Sequence, residues 1–193
     1  MDKQYQLIAA DPPWHFRNYS ADEPGMIHDR ARGPNRYYPT MLTEDICALP
    51  IQQIAAPDSV LLIWMVWTHL PEVLQVIGAW GFEYKTCAYV WVKANPSGVG
   101  FFTGMGYYTR ANTEACLLAV RGKGLKRLNA DVGQLIYSPV RKHSQKPIDF
   151  FNKTKRLFGD VSRVELFARQ PQPGWDVWGN EVESDIQLGV SNG

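Results

Sequence analysis

The chain has 193 residues, 45% of them apolar and 20% charged, with a formal net charge of +1; that is the balance of a globular protein sized for one domain. No apolar run reaches the roughly 18 residues a membrane-spanning helix needs, and no charged segment leads into an apolar stretch with a small-residue cleavage site, so neither a membrane span nor a signal peptide is expected. Cys47, Cys87 and Cys116 form no CxxC pair, which argues against a disulfide framework or zinc site and points to a reducing cytoplasm.

Residues 5–10 (YQLIAA) read as a short buried strand, ending in Asp11-Pro12-Pro13-Trp14. Residues 15–40 are polar, rich in Gly and Pro, and read as a long loop. Residues 42–55 have helical character broken by Pro50. Ser59–Val66 is continuously apolar, as a parallel strand covered on both faces should be. A helix follows from Thr68 or His69, with Pro71 in its first turn, a stripe of Leu70, Val73, Leu74, Ile77 and Trp80, and Gly81 as its stop. Residues 84–93, 115–121 and 134–138 read as strands, with a glycine-rich loop over 94–114. Ser144 precedes a helix from about Lys146 to Phe158, with Ile148, Phe151 and Phe158 inward and Gly159 closing it. Residues 161–168 and 175–178 complete the strands, and a polar tail from 182 is expected to fray. Strands alternating with helices imply an α/β sandwich with a mainly parallel sheet. In such sheets ligands bind beyond the carboxyl ends of the strands, where Asp11 and residues 165–169 fall.

Asp-Pro-Pro is an ordinary way to end a strand, because proline fixes φ and withholds a donor. A tryptophan next, directly after a buried strand, is a much rarer coincidence and invites a chemical reading. An adenine amine is a poor nucleophile because its lone pair is delocalised into the ring. A carboxylate accepting one N–H and a stiffly held carbonyl accepting the other favour a pyramidal nitrogen that can attack an electrophilic methyl. Asp11 supplies the carboxylate and Pro12 the carbonyl, with Pro13 stiffening the backbone. Trp14 offers an apolar plane for the base, worth about 1–3 kcal/mol by analogy with single-strand stacking platforms. None of these steps asks for a metal, and the histidines show no ligand spacing.

The motif DPPW (11–14), followed by YYPTM (37–41), LLIWMVW (61–67), GMGYYTRANTEACLLAVRG (104–122), SQKP (144–147), VELFAR (164–169) and GWDVWGNE (174–181), resembles the MT-A70 family of S-adenosylmethionine-dependent adenine N6-methyltransferases. The resemblance implies a single three-layer, Rossmann-like class I methyltransferase domain. Its order is permuted, the catalytic motif preceding the cofactor strand. It also implies methyl transfer from S-adenosylmethionine to adenine N6 in DNA. The same reaction on RNA, and a non-catalytic nucleic-acid-binding partner subunit, are the alternatives.

A site for S-adenosylmethionine needs a cation for its carboxylate and acceptors for its ribose. Lys146, at a helix start, suits the carboxylate. Glu165, Phe167 and Arg169 line the end of one strand, and Asn180 and Glu181 follow another. The family pattern places cofactor contacts at the positions of Lys146, Glu165, Arg169, Asn180 and Glu181. The plainer reading makes Glu165 and Arg169 a surface ion pair and Lys146 a helix-start residue. No G-x-G-x-x-G follows the 164–168 strand, so a nicotinamide cofactor finds no support.

Ten basic against two acidic residues lie between Arg121 and Arg156, a local +8 that leaves −7 on the rest. This marks either a phosphate-facing side, with Arg141 and Lys142, or a solvated basic face. No helix-turn-helix or zinc finger is evident, so target choice falls to the loops. These are 15–40, with Arg17, Arg30, Arg32 and Arg36, and 94–114, with Phe101, Phe102, Tyr107, Tyr108 and Arg110. The resemblance adds Tyr38 near the target base and Glu114 at its border. A homodimer or heterodimer is expected, since so small a domain has little surface for target selection.

Overall fold

The computed structural model describes residues 3–15, 39–106, 108–141 and 145–189. Tyr38, Lys142, Tyr107, Ser144 and the arginines Arg17, Arg30, Arg32 and Arg36 lie outside the described residues. The elements in order are β1 (Tyr5–Ala10), α1 (Thr43–Ala48), α2 (Ile51–Ile54), β2 (Ala55–Met65), a 3₁₀ turn (Trp67–His69), α3 (Leu70–Ala79), β3 (Glu83–Ala94), β4 (Thr113–Arg121), β5 (Leu135–Pro139), α4 (Ile148–Phe158), β6 (Arg163–Leu166) and β7 (Asp176–Trp178). Among the described residues the strands form one sheet in the order β5-β3-β4-β2-β1-β6-β7. β1 pairs parallel with β2 and β6, β6 with β7, and β3 with β5; β4 alone runs against its neighbours, β2 and β3. No described helix is long and apolar enough to cross a membrane.

Both faces of the sheet are covered. Ile8, Ala10, Leu61, Ile63 and Met65 join one core with residues of α1, α2 and α3. Leu7, Ala9, Val60, Leu62 and Trp64 join the other with Phe150, Phe151 and Phe158 of α4. A strand packed on both sides must be apolar at every position, which explains the unbroken runs of β1 and β2. Pro50 splits the expected 42–55 helix into α1 and α2 by capping the second. On α3 the buried residues are Val73, Val76 and Ile77, and Leu74 is exposed, contrary to the expected stripe. Trp80, fully buried, donates its indole N–H to the Ile46 carbonyl at 2.8 Å and ties α3 to α1. Gly81 turns the chain with φ of +78°, which a residue with a Cβ would adopt only under strain.

On α4 the inward residues are Phe150, Phe151, Thr154 and Phe158, while Ile148 is exposed. Phe150 is the hub of an edge-to-face chain of rings, 5.2 Å from Trp64, 5.8 Å from Tyr89 and 5.0 Å from Phe151, which meets Trp175 at 5.6 Å. Pairs of this geometry contribute about 0.5–1.5 kcal/mol each beyond their burial. They fix where α4 begins, and therefore where Lys146 sits.

The 94–114 loop folds onto itself, with Asn95 N–H donating to the Gly100 carbonyl at 3.1 Å, Phe102 N–H to Lys93 at 2.8 Å and Gly104 N–H to Ala111 at 2.8 Å. Of the polar tail from 182, the described residues 182–189 meet the sheet edge at β7. Asp185 accepts the Val177 N–H at 2.9 Å and returns its own N–H to the Val177 carbonyl at 2.9 Å, and Ile186 and Leu188 reach the core.

Candidate active site

Parallel strands deliver their carboxyl ends to one rim of a sheet. Asp11 leaves β1 there, and its N–H faces the Leu166 carbonyl of β6 at 3.4 Å. Glu165, one residue earlier on β6, lies opposite Ala9. Because β4 runs the other way, its beginning reaches the same rim: Ala115 pairs with Met65 at the end of β2, and Glu114 with Trp91 of β3. Lys93 lies near the end of β3. Lys146 enters from the α4 side, its Nζ 5.4 Å from the centre of the Trp64 ring.

These side chains form a chain of alternating charge. Lys93 Nζ lies 2.5 Å from Glu114 Oε1, Lys146 Nζ 3.2 Å from Glu114 Oε2, and Lys146 Nζ 2.7 Å from Asp11 Oδ2. The Lys146 and Asp11 side chains are 7% and 20% exposed. Taking charges out of water costs several kcal/mol per ion, so such groups persist only when paired and hydrogen-bonded. Burial pushes the Asp11 carboxyl above its ordinary value, opposed by Lys146 and reinforced by Glu114. Burial works on Glu114 in the same sense, but Lys146 and Lys93 outweigh it and hold Glu114 below its ordinary value. Lys146 is held protonated: burial disfavours its charge, and the two carboxylates more than offset that. Among the described residues no cation pairs with Glu165. Burial, with the Asp11 charge beside it, pushes its carboxyl up to about 8, against the pull of Lys146. At neutral pH Glu165 is therefore mostly protonated, with an O–H to donate.

The Asp-Pro-Pro-Trp turn is held from several sides. Pro12 accepts the Trp14 N–H at 2.9 Å and Pro13 accepts the Met41 N–H at 2.9 Å. The Pro12 carbonyl, expected to aim outward at an amine, thus already serves the turn; a carbonyl has a second lone pair to offer. Trp14 differs more from expectation. Its ring is 5% exposed, packed in the α1–α3 core, and its indole N–H faces the Trp64 carbonyl at 3.3 Å. The open stacking plane foreseen for it is absent, because burying the indole against β2 removes its large apolar surface from water. His69 lies beside it, ring centres 6.0 Å apart, and its Nε2 is 3.2 Å from the His15 carbonyl. His15 Nδ1 in turn lies 3.0 Å from Thr40 Oγ1.

The segments after β6 and β7 are locked together. Ala168 N–H donates to the Trp178 carbonyl at 2.9 Å. A Cβ on Gly179 would come within 2.2 Å of the Ala168 carbonyl oxygen, so only glycine fits there. Phe167 has φ of +62°, the one described non-glycine residue in the left-handed region. Its ring meets Trp178 edge-on at 5.3 Å. Backbone held in such a region concentrates at ligand sites. Arg169 pairs with Glu181 at 3.6 Å, not with Glu165 as the surface-pair reading had it. Asn180 and Glu181 follow on the exposed surface.

The structure thus gathers Asp11, Glu114, Lys146 and Glu165 at one rim, with Phe167, Arg169 and Glu181 beyond β6. Tyr108, Arg110 and Arg141 are exposed. The basic segment is not one free face. Lys146 is buried, Arg121 donates to the Gln52 carbonyl at 2.9 Å, Lys153 to the Gly133 carbonyl at 2.7 Å, and Arg156 pairs with Asp131 at 2.9 Å. The sequence does not single out Lys93 and reads His69 as an ordinary residue; the structure sets Lys93 against Glu114 and His69 beside Trp14. A polar residue on a strand flank and a lone histidine carry no signal until register and packing reveal their neighbours.

The chain matches the profile of the MT-A70 family over residues 5–181. It is 32% identical to the Type II methyltransferase M.MunI of Mycoplasma sp over 192 residues, covering 93% of this chain and 78% of that protein. It is 31% identical to human N(6)-adenine-specific methyltransferase METTL4, covering 93% of this chain and 38% of that protein. It is 27% identical to human N(6)-adenosine-methyltransferase catalytic subunit METTL3, covering 93% of this chain and 28% of that protein. The chain therefore spans most of the first of these and well under half of the other two.

Proposed function

The chain belongs to the MT-A70 family, and from that premise we propose that it transfers a methyl group from S-adenosylmethionine to the N6 amine of adenine in DNA, with a class I methyltransferase topology in permuted order. The observation that carries this reading is the convergence of Asp11, Lys146 and Glu165 on one rim of the sheet. DNA is favoured over RNA because a relative covered over 78% of its own length is a type II methyltransferase.

The donor set suits S-adenosylmethionine. The Glu165 carboxyl forms no hydrogen bond or ion pair among the described residues, and as acid or carboxylate it can meet an ammonium or a ribose hydroxyl. Lys146 is the cation for a carboxylate, Phe167 an apolar wall, and Arg169, Asn180 and Glu181 the polar groups for ribose. When bound, the cofactor supplies an electrophilic methyl on a sulfonium. Asp11 and the free lone pair of the Pro12 carbonyl would accept the two amine hydrogens and hold the nitrogen lone pair toward that methyl; as the N–CH3 bond forms the S–CH3 bond would break, a neutral thioether would leave, and the surplus amine proton would pass to the Asp11 carboxylate and on to solvent. Positioning within about 3–3.5 Å supplies much of the rate. Glu114 fixes Lys146 from behind. Trp14, buried, stiffens the turn that aims Asp11.

The deciding experiment incubates the protein with labelled S-adenosylmethionine and matched duplex DNA, single-stranded DNA and RNA, then identifies the methylated nucleoside by mass spectrometry. N6-methyladenine in DNA is expected. N6-methyladenosine in RNA alone would transfer the reading to RNA, and cofactor binding without transfer would leave a binding subunit.

A further inference from the structure

Lys93 stands at the opposite end of the ion chain from Asp11, joined to it through Glu114 and Lys146, and has no place in the mechanism above. Its backbone is clamped, N–H donating to the Asn112 carbonyl at 2.9 Å and C=O accepting the Phe102 N–H at 2.8 Å. Its Nζ sits 5.1 Å from the centre of the Trp91 ring, within reach of a cation–π attraction. From that fixed position it engages Glu114 Oε1 at 2.5 Å, with side-chain exposures of 19% and 14%. The other Glu114 oxygen is only 3.2 Å from Lys146, whereas Asp11 is 2.7 Å from it. Lys146 is thus committed more closely to Asp11 than to Glu114.

We propose that Lys93 is a positioning residue: by occupying one oxygen of Glu114 it leaves Lys146 to Asp11 and so keeps Asp11 an ionised acceptor for the target amine. The inference rests on the role of Asp11 given above. The charges support it. Facing Asp11 are Lys146 ahead of α4, Glu114 and Cys116 of β4, Glu165 of β6, and Arg169 beyond β6. Arg169 is itself engaged by Glu181. With Lys93 present, Asp11 and Glu114 are balanced by two lysines. Without it, both carboxylates compete for Lys146 in a partly desolvated site, where like charges disfavour double ionisation. Glu114, left with Lys146 as its one cation among the described residues, draws the Lys146 ammonium toward itself and away from Asp11, and burial of Asp11 then favours its protonated form. A protonated Asp11 presents an O–H where the amine needs an acceptor.

The test compares wild type, Lys93→Met and Lys93→Arg. In cofactor-free protein carrying ¹³C-labelled aspartate carboxyls, with the Asp11 signal assigned through Asp11→Asn, the Asp11 midpoint should rise by about one pH unit in Lys93→Met. A shift of that size lowers the ionised fraction about tenfold on the acid side. Lys93→Arg should restore the wild-type midpoint. In methyl transfer the acid limb of kcat should move by the same interval in Lys93→Met, with KM for the cofactor within about threefold. An unmoved Asp11 midpoint in folded Lys93→Met overturns the inference, as does a pH-independent loss of kcat. If Lys93→Met does not fold, Lys93→Gln carries the same expectation. A moved midpoint in a protein that methylates nothing would uphold the electrostatics and sink the proposed function. An unmoved midpoint in an active enzyme would sink only the role of Lys93.

Discussion

Lys146→Met isolates the ion chain at its centre. The substitution keeps most of the stem's volume and removes the charge that Asp11 and Glu114 share at 2.7 and 3.2 Å. Removing one partner of a buried pair costs about 3–5 kcal/mol, because the other charge is left uncompensated. Glu114 keeps Lys93, so the burden falls on Asp11 and the lower end, about 3 kcal/mol, is expected. For a protein of this size that corresponds to a fall in Tm of roughly 6–12 °C. The loss depends on pH. Asp11 has a raised value when folded, and without Lys146 it rises further. Below the unfolded carboxylate value, near 4, Asp11 is protonated in both states and the missing lysine costs little. As pH climbs from there to the folded value the unfolded chain ionises while the folded one cannot, and stability is lost. Thermal melts of wild type and variant at pH 5 and pH 8 should therefore show a gap clearly larger at pH 8. An equal gap at both, or one under about 2 °C at pH 8, would refute the claim that Asp11 depends on Lys146.

Three further outcomes follow from the same geometry. Asp11→Asn should abolish turnover and leave cofactor affinity within a few-fold by calorimetry, as expected of an interaction made in the transition state; an equal loss of binding in Asp11→Asn and Lys146→Met would show the roles misassigned. Glu165→Gln should weaken cofactor binding yet stabilise the free protein at pH 8, because Glu165 is held protonated up to about 8 while the unfolded chain ionises above about 4.5. Melts at pH 8 should show the gain and melts at pH 4.5 should not. Trp14→Ala should cost about 3–5 kcal/mol of stability, measured by denaturant unfolding, as for other buried tryptophans, whereas Trp14→Phe should lose far less.

Much of this architecture can be read from residue order. Strands β1 and β2 are legible because burial on both faces forces unbroken apolar runs, and Asp-Pro-Pro-Trp stands out because it ends one of them. The helical stripes were offset. On α3 the spacing of Leu70, Val73, Leu74 and Ile77 fits a 3.6-residue period as well as Val73, Val76, Ile77 and Trp80 does. Periodicity gives the existence of a stripe, while its centre depends on the sheet it meets. On α4 the same ambiguity exchanged Ile148 for Phe150. Trp14 was misread because a tryptophan after a strand can turn toward core or cleft, and only the Trp64 carbonyl decides. Lys93 was illegible for a different reason. Its contact with Glu114 follows from the antiparallel register that sets Trp91 opposite Glu114, and pairing between strands far apart in sequence leaves no local trace.

The central claim is tested most directly by mass spectrometry of nucleosides after reaction of labelled S-adenosylmethionine and adenine-containing DNA with wild type and Asp11→Asn side by side. Labelled N6-methyladenine should form with the wild type and fall to background with the variant, although both bind the cofactor. Equal yields from the two proteins, or label on any other atom of the base, would contradict it.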